Sequence, residues 1–227
     1  MRLRLARLLC VTDARTDGDL AGFAAGVLEV GVDLIQLRDD RASDPGKLAA
    51  LAVLRKAASA GQALVSVYAD CELAREFGAD VLHLPRGGVE AKKARRCVSR
   101  WARIGRSCYS TDDIDAALAD DDVHYLSVGP VFGTLPWAGR LPGLDLVRHA
   151  ARVAPQATPG AKPWFAIGGI TGANLDEVLD AGARRIAVGR AITAAADPAS
   201  AARMFDHRLR ASWRDEFDDY TLDALRD

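Results

Sequence analysis

The chain has 227 residues, of which 49% are hydrophobic and 27% are charged. This length predicts one domain with a sizeable core. Thirty basic and 31 acidic side chains give a formal charge of -1, which excludes the strongly positive field of a protein that binds nucleic acid or an acidic membrane. Since no apolar run reaches the length of a signal segment or a membrane-spanning helix, we expect a cytoplasmic protein that acts on a small molecule.

Eight short apolar runs recur along the chain, and a segment of helical period follows each one. The runs are largely apolar rather than alternating, which is typical of parallel strands covered on both faces. Eight strands and eight helices predict a single (β/α)8 TIM barrel over residues 1–210. An open doubly wound sheet is the alternative, although no dinucleotide fingerprint follows the first run. The runs extend from Leu8 to Thr12, Leu34 to Arg38, Leu64 to Tyr68, Val81 to Leu84, Arg103 to Ser107, Tyr125 to Gly129, Trp164 to Ile167 and Arg185 to Gly189.

The segments between these runs have apolar residues at helical spacing, most of them with charged residues on the other face. Residues 211–227 form an acidic and aromatic tail, which we expect to be helical and to pack on the barrel or on a partner subunit. The helices are predicted from Leu20 to Val30, Lys47 to Ala60, Cys71 to Phe77, Ala91 to Arg100, Asp112 to Ala119, Leu144 to Val153, Asn174 to Ala181 and Ala201 to Leu209.

Two glycine-rich segments follow the seventh and eighth strands. Gly168 and Gly169 end the first segment, and Gly189 with Arg190 opens a short helical turn in the second. Backbone amides that no side chain covers favour an anion, as does a helix N-terminus. Each segment alone could be only a tight turn. Side by side after strands seven and eight, they predict the phosphate site that is usual in barrels.

Several segments resemble the thiamine phosphate synthase family, including its thiazole tautomerase branch. The resemblance covers the chain from about Leu8 to Leu209 and is most specific in the last third. It implies a barrel that binds a thiazole phosphate at the glycine segments and, in the synthase, a pyrimidine pyrophosphate held by Mg²⁺. The matching segments are VTDAR, GVDLIQLRDD, GADVLHL, GRSCYS, YLSVGPVFGT, PWFAIGGI and AGARRIAVGRAI.

The family motifs after the second, third and fourth strands are only partly matched. In the second-strand motif Gln-x-Arg-x-Lys, Gln36 and Arg38 are present, but Asp40 stands at the lysine position. The third-strand motif begins Asn-Asp, and here the chain reads Ala69-Asp70, which makes Asp70 the candidate Mg²⁺ ligand. Gly88 falls where the second magnesium carboxylate is expected.

The motifs after the fifth and sixth strands also differ from the family. Ser107 matches the family's Ser-x-His, but Tyr109 replaces the histidine, and we take these two residues as the catalytic candidates. In the sixth loop Thr134 matches the family's first threonine, while Trp137 stands at the lysine position. Arginine binds phosphate as a bidentate donor and could replace the missing lysines. The arginines in or beside these loops are Arg86, Arg106 and Arg140.

Two side-chain groups allow a structural and a functional interpretation. His83 lies within a strand, where a structural role is the more common one, although it could substitute for a missing catalytic base. Asp39, Asp40 and Asp70 could form a metal cluster at the strand ends, or Asp70 could pair with Arg38.

The departures lead to two classes of function. Each lost charge contact costs about 2 kcal/mol or more in a water-poor site, so we expect weak or absent synthase activity. The first class is a thiamine-pathway enzyme, either a modified synthase or a tautomerase-like isomerase, although Pro130 stands where the tautomerase branch has its histidine. The second class is a non-catalytic sensor or carrier of a phosphate ester. The resemblance also leads us to expect a homodimer, with Mg²⁺ as the candidate cofactor.

Overall fold

The computed structural model describes residues 2–15, 18–133, 143–156, 158 and 160–224, with side chains described as far as residue 213. Eight parallel strands pair in chain order, and β1 pairs with β8, so the barrel is closed. The predicted single (β/α)8 TIM barrel is confirmed. The strands are β1 (Leu8–Thr12), β2 (Leu34–Leu37), β3 (Leu64–Tyr68), β4 (Val81–Leu84), β5 (Arg103–Cys108), β6 (Tyr125–Val128), β7 (Trp164–Ile167) and β8 (Ile186–Val188).

The helices alternate with the strands as the sequence predicts. The one-turn helix α9 is the short helical turn predicted after Gly189, whereas the one-turn helix α1 is additional, because four residues are too few to show a helical period. The helices in the described residues are α1 (Arg2–Leu5), α2 (Leu20–Glu29), α3 (Asp44–Gly61), α4 (Cys71–Phe77), α5 (Ala91–Cys97), α6 (Thr111–Ala119), α7 (Gly143–Val153), α8 (Leu175–Asp180), α9 (Arg190–Thr193) and α10 (Pro198–Ala224).

Several helix boundaries differ from the predicted ones, and two of the larger differences have local reasons. Helix α3 begins at Asp44 rather than Lys47, because the Ser43 hydroxyl accepts a hydrogen bond from the Gly46 amide at 3.3 Å and a proline is favourable in a first helical turn. Helix α5 ends at Cys97 rather than Arg100, because Val98 is extended. Helix α10 continues past Leu209 to Ala224 without a break.

The last described helix contacts the barrel through Trp213. The indole Nε1 of Trp213 donates to the Arg184 carbonyl at 2.8 Å, and the Arg185 guanidinium lies 4.6 Å from the ring centroid. The side chains of Phe217, Tyr220 and Leu225 lie outside the described residues, so the packing of the tail and its division from the barrel at residue 211 stay predictions. None of the described helices combines the length and the apolar composition that crossing a lipid bilayer requires.

The lower interior of the barrel is filled by buried side chains from most of the strands. Leu9, Leu34, Val81 and Phe165 are buried there together with Tyr125 and Ala187. Leu3 and Ala6, in and just after α1, close this cluster from the amino-terminal end of the strands. This half of the barrel interior is therefore filled, and the space inside the barrel opens toward the carboxyl ends of the strands.

The ring of Tyr125 occupies space that a glycine leaves free on the neighbouring strand. A Cβ atom at Gly105 would lie 2.1 Å from Cε1 of Tyr125. The Tyr125 hydroxyl forms a 2.8 Å hydrogen bond with Nδ1 of His83, which is also fully enclosed in the interior. Gly105 therefore sets the position of the tyrosine, and the tyrosine orients the histidine below the upper cavity.

We expect Gly105→Ala to destabilise the fold by about 2 kcal/mol or more, because the ring of Tyr125 must move within a closed interior. Denaturant unfolding followed by circular dichroism would measure the change. Gly26→Ala is the matched control, since its Cβ would lie at an ordinary 3.6 Å from the Ala199 Cβ in a helix where alanine is favoured. Equal stability of Gly105→Ala and the wild type would contradict the packing described here.

We also expect His83 to make the folded protein sensitive to acid. Burial, with the nearby positive charges of Arg106 and Arg38, lowers the pKa of His83 to about 3. The unfolded chain protonates this residue near its ordinary value of 6.5, so stability conferred by the neutral histidine is lost as the pH falls below that value. Between pH 7 and pH 5, the wild type should lose about 2 kcal/mol more than His83→Gln.

Urea unfolding at both pH values would measure this difference in the free energy of unfolding. His207→Gln, at an exposed position on α10, is the control and should lose the same amount as the wild type. A pH dependence of His83→Gln equal to that of the wild type would show that His83 titrates normally in the folded state.

Candidate functional site

A cavity of about 840 Å³ opens at the carboxyl ends of the strands, which is the face where barrels carry their chemistry. Residues from nearly every strand reach it because closure of the barrel brings all eight strand ends together. The predicted site residues that line the cavity are Gln36, Arg38, Ser107, Tyr109, Gly168, Gly169, Gly189 and Arg190. Its other polar lining residues are Tyr68, His83, Ser127 and Thr171.

The two glycine segments form one wall of this cavity. Gly168 has a φ of +108° and Gly169 a φ of +64°, which are backbone conformations that glycine adopts readily. A Cβ at Gly168 would lie 2.6 Å from the Cα of Pro130. The segment after β7 is therefore packed against the segment after β6, and its backbone is exposed to the cavity.

Side-chain contacts of Asn174 fix the direction of this glycine segment. The Asn174 amide nitrogen donates to the Gly169 carbonyl at 3.0 Å, and its Oδ1 accepts from the Thr171 amide at 2.8 Å. Among the described residues, the amides of Gly169, Ile170, Arg190 and Ala191 have no acceptor. The wall thus presents backbone donors to the cavity from two neighbouring strand ends, as an anion site requires.

The floor of the cavity is a hydrogen-bonded chain of buried side chains. Nε2 of His83 lies 2.9 Å from Oγ of Ser107, and Nδ1 of His83 lies 2.8 Å from the Tyr125 hydroxyl. Since burial holds the pKa of His83 far below neutrality, the imidazole is neutral at physiological pH. A neutral imidazole beside a hydroxyl can accept or donate a proton, and an acid–base role for Ser107 with His83 stays a prediction.

The wall opposite the glycine segments contains Gln36, Arg38 and Tyr68. Gln36 is buried, whereas Arg38 is exposed and its guanidinium lies 4.4 Å from the ring centroid of Tyr68. The Tyr68 ring in turn stacks on His83, with 5.9 Å between the ring centroids. A flat aromatic and guanidinium surface therefore faces the donors of the glycine wall across the cavity.

Arg86, which the sequence predicts as a phosphate ligand, forms an ion pair with a carboxylate. Nε of Arg86 lies 3.0 Å from Oδ2 of Asp113, and the same carboxylate oxygen accepts from the Tyr109 amide at 2.9 Å. Arg106 is engaged as well, because its guanidinium donates to the carbonyls of Pro85 and Val89. Neither arginine lines the cavity. Both organise loops beside it.

Two of the acidic residues after β2 and β3 accept hydrogen bonds from backbone amides. Oδ1 of Asp70 accepts from the Leu73 amide at 2.9 Å and caps α4. Asp39 accepts from the amides of Ala14, Arg41 and Ala42. Burial raises the pKa of Asp39, but these three backbone donors outweigh burial and lower it overall. No cluster of three metal-binding side chains occurs in the described residues, and Mg²⁺ binding at Asp70 stays a prediction.

Three candidate residues lie where no structure is described. Thr134, Trp137 and Arg140 fall within residues 134–142, so their position relative to the cavity stays a prediction. The suggested ion pair between Asp70 and Arg38 does not form among the described residues.

Sequence reasoning missed three residues that shape the site. Tyr68 and Ser127 were not singled out, although the alternation of inward and outward side chains along β3 and β6 could have indicated them. Asp113 was also missed, because its effect depends on a contact across 27 residues with Arg86. His83 was noted mainly as structural, and its bond to Ser107 became visible only when the two strands were paired.

Comparison with known proteins agrees with this architecture. The sequence model of the family described as thiamine monophosphate synthase matches residues 8–192. The thiamine-phosphate synthase of Mycobacterium marinum is 46% identical over 222 residues, covering 93% of this chain and 98% of that protein. The corresponding protein of Mycobacterium sp. strain JLS is 49% identical over 218 residues, covering 91% and 94%.

A solved structure is similar over the same extent. The thiamine phosphate pyrophosphorylase of Pyrococcus furiosus superposes with a TM-score of 0.80 at 27% identity, covering 93% of this chain and 98% of that one. The match therefore spans the barrel and is not restricted to the glycine segments. The chain belongs to the thiamine monophosphate synthase family, and so to the proteins of thiamine biosynthesis.

Proposed function

We propose that the chain binds a thiazole phosphate, or a phosphate ester of similar shape, at Gly168, Gly169, Gly189 and Arg190, and that it has little or no synthase activity. The observation that carries the proposal is the wall of backbone donors formed by the two glycine segments in one cavity of about 840 Å³. A phosphate there receives hydrogen bonds from amides that are already fixed in direction. The heterocycle then extends toward Tyr68 and Arg38.

The chemistry of the synthase makes a second demand on the site. A bond forms to the pyrimidine methylene carbon as the bond from that carbon to the pyrophosphate oxygen breaks, so the site must stabilise a highly charged leaving group. Asp40 places a negative charge at the position where the family has lysine. The positive charge of Arg86 is opposed by Asp113, and Asp70 is used as a helix cap. These contacts favour a phosphate-ester binder over an efficient transferase.

The hydrogen-bonded pair of Ser107 and His83 on the cavity floor supports an isomerase as the alternative enzyme. Ser107 Oγ and His83 Nε2 are 2.9 Å apart beneath the cavity, and moving a proton on a bound heterocycle requires only such a pair and a phosphate anchor.

A modified synthase is the second candidate function. It is favoured by the 46% and 49% identity to proteins that are named thiamine-phosphate synthases. The predicted homodimer would be tested by sedimentation.

The proposed phosphate anchor predicts that one variant loses affinity for thiazole phosphate. Calorimetric titration with thiazole phosphate should show binding to the wild type. Gly189→Ala should bind it at least about tenfold more weakly, because the added methyl group takes up space in the cavity wall that carries the donors of the second glycine segment. Gly26→Ala, the same substitution in a helix away from the cavity, should bind as the wild type does. Equal affinity of Gly189→Ala and Gly26→Ala would contradict the assignment.

The aspartate at the family's lysine position predicts that another variant gains affinity for pyrophosphate. Thiamine phosphate should not form from thiazole phosphate, pyrimidine pyrophosphate and Mg²⁺, as measured by chromatography of the product. Asp40→Lys should bind inorganic pyrophosphate about tenfold more tightly than the wild type, because it replaces a negative charge by a positive one beside Arg38. Asp121→Lys, the same charge change at the opposite end of the barrel, should not. Rapid turnover by the wild type would establish the modified synthase instead.

A further inference from the structure

A second pocket lies at the amino-terminal end of the barrel strands, opposite the cavity described above. Its volume is about 210 Å³. Positive side chains line it, and no acidic side chain is among the described residues that do so. This charge balance is unusual on a chain whose formal charge is -1. The polar and aromatic lining residues are Arg4, Arg7, Gln156, Thr158, Lys162, Arg185 and Trp213.

Two donors at this pocket are buried and unused. Nε of Arg7 and Nε2 of Gln156 have no hydrogen-bond partner among the described residues. Leaving such groups unpaired is costly, and the cost is higher for a charged group. No ion pair of Arg7 occurs in the described part of the chain; the Oδ2 atom of nearby Asp33 accepts from its backbone amide at 2.7 Å. The positive charge of Arg7 acts on the Asp33 carboxylate from beyond ion-pair distance, and Nε of Arg7 is left without a hydrogen bond.

The surrounding side chains hold these donors in place. The Arg185 guanidinium donates to the carbonyls of Ala6 and Arg4 and to Oε1 of Gln156. Oε1 of Gln156 accepts the hydrogen bond from Arg185, and the side-chain amide nitrogen of Gln156 remains available as a donor. The Arg7 guanidinium lies 5.6 Å from the ring centroid of Trp213, which forms one side of the pocket.

We propose that this pocket binds a small oxyanion, a phosphate or carboxylate group, between Arg7 and Gln156. Arginine is suited to such a group because its planar set of donors matches the oxygen atoms in geometry. A volume of about 210 Å³ equals that of several water molecules, which leaves room for an oxyanion with a few further atoms.

The site is separate from the cavity at the other end of the barrel. Arg185 directly precedes β8, and Gly189 directly follows it, so the three residues of β8 lie between the two binding regions. A ligand at the amino-terminal end does not compete with a phosphate ester at the glycine segments. The proposal therefore does not depend on the proposed function.

The test is a titration of the protein with inorganic phosphate, followed by the indole N–H resonance of Trp213 in nitrogen-15 correlation spectra. Trp213→Phe assigns that resonance. We expect a saturable shift that sodium chloride at the same ionic strength does not produce. Arg7→Gln should weaken the binding at least about tenfold, because it removes the charge and the planar donor set. Dispersed spectra of Arg7→Gln would show that it folds.

Two control variants distinguish the site from other causes. Arg96→Gln removes the same charge at an exposed position on α5 and should bind phosphate as the wild type does. Gly189→Ala alters the cavity at the other end and should also leave the Trp213 shift unchanged. The proposal is overturned if the resonance does not shift in the millimolar range or shifts equally with chloride. It is also overturned if Arg96→Gln or Gly189→Ala weakens the binding as much as Arg7→Gln does.

Discussion

The pairing of β1 with β8 is the interaction on which the site depends. Cys10 pairs with Val188 and Leu8 with Ile186, which joins two segments almost 180 residues apart. Without this closure the sheet would have two open edges, and the glycine segments after β7 and β8 would lie at one of them. Closure places every strand end around a single cavity. It also encloses the interior, so that Tyr125, His83 and Ser107 are held in contact without water between them.

The site is asymmetric in its use of charge. One wall offers fixed backbone donors, which can hold a phosphate at little cost in conformational entropy. On the other side, arginines and aspartates are used for the protein's own loops: Asp113 binds Arg86, and Asp70 caps α4. These contacts use Oδ1 of Asp70 and Nε of Arg86, so part of the binding capacity of each side chain is already taken by the protein itself.

Much of this fold could be predicted from the sequence because its signals are local. The apolar run from Leu64 to Tyr68 and the following helix from Cys71 to Phe77 have the predicted boundaries, since a covered parallel strand and a capped amphipathic helix each leave a short-range pattern. The glycine segments after β7 and β8 could be recognised in the sequence for the same reason. Helix α1 was not predicted, because one turn has no helical period, and neither was the continuity of α10 from Pro198 to Ala224.

The sequence by itself determined the order of strands and helices, the family, and the residues that stand at the family's motif positions. The tertiary structure alone decided what those residues contact. Asp70 keeps the residue type of a metal ligand, yet its carboxylate caps a helix, and Arg86 keeps the charge of a phosphate ligand, yet it is bound by Asp113. In the sequence His83 is an ordinary strand residue, and its contacts with Ser107 on β5 and Tyr125 on β6 exist only in the folded barrel. The physical reason is that a side chain's function depends on which partners lie within hydrogen-bond distance, and in a closed barrel those partners come from distant parts of the chain.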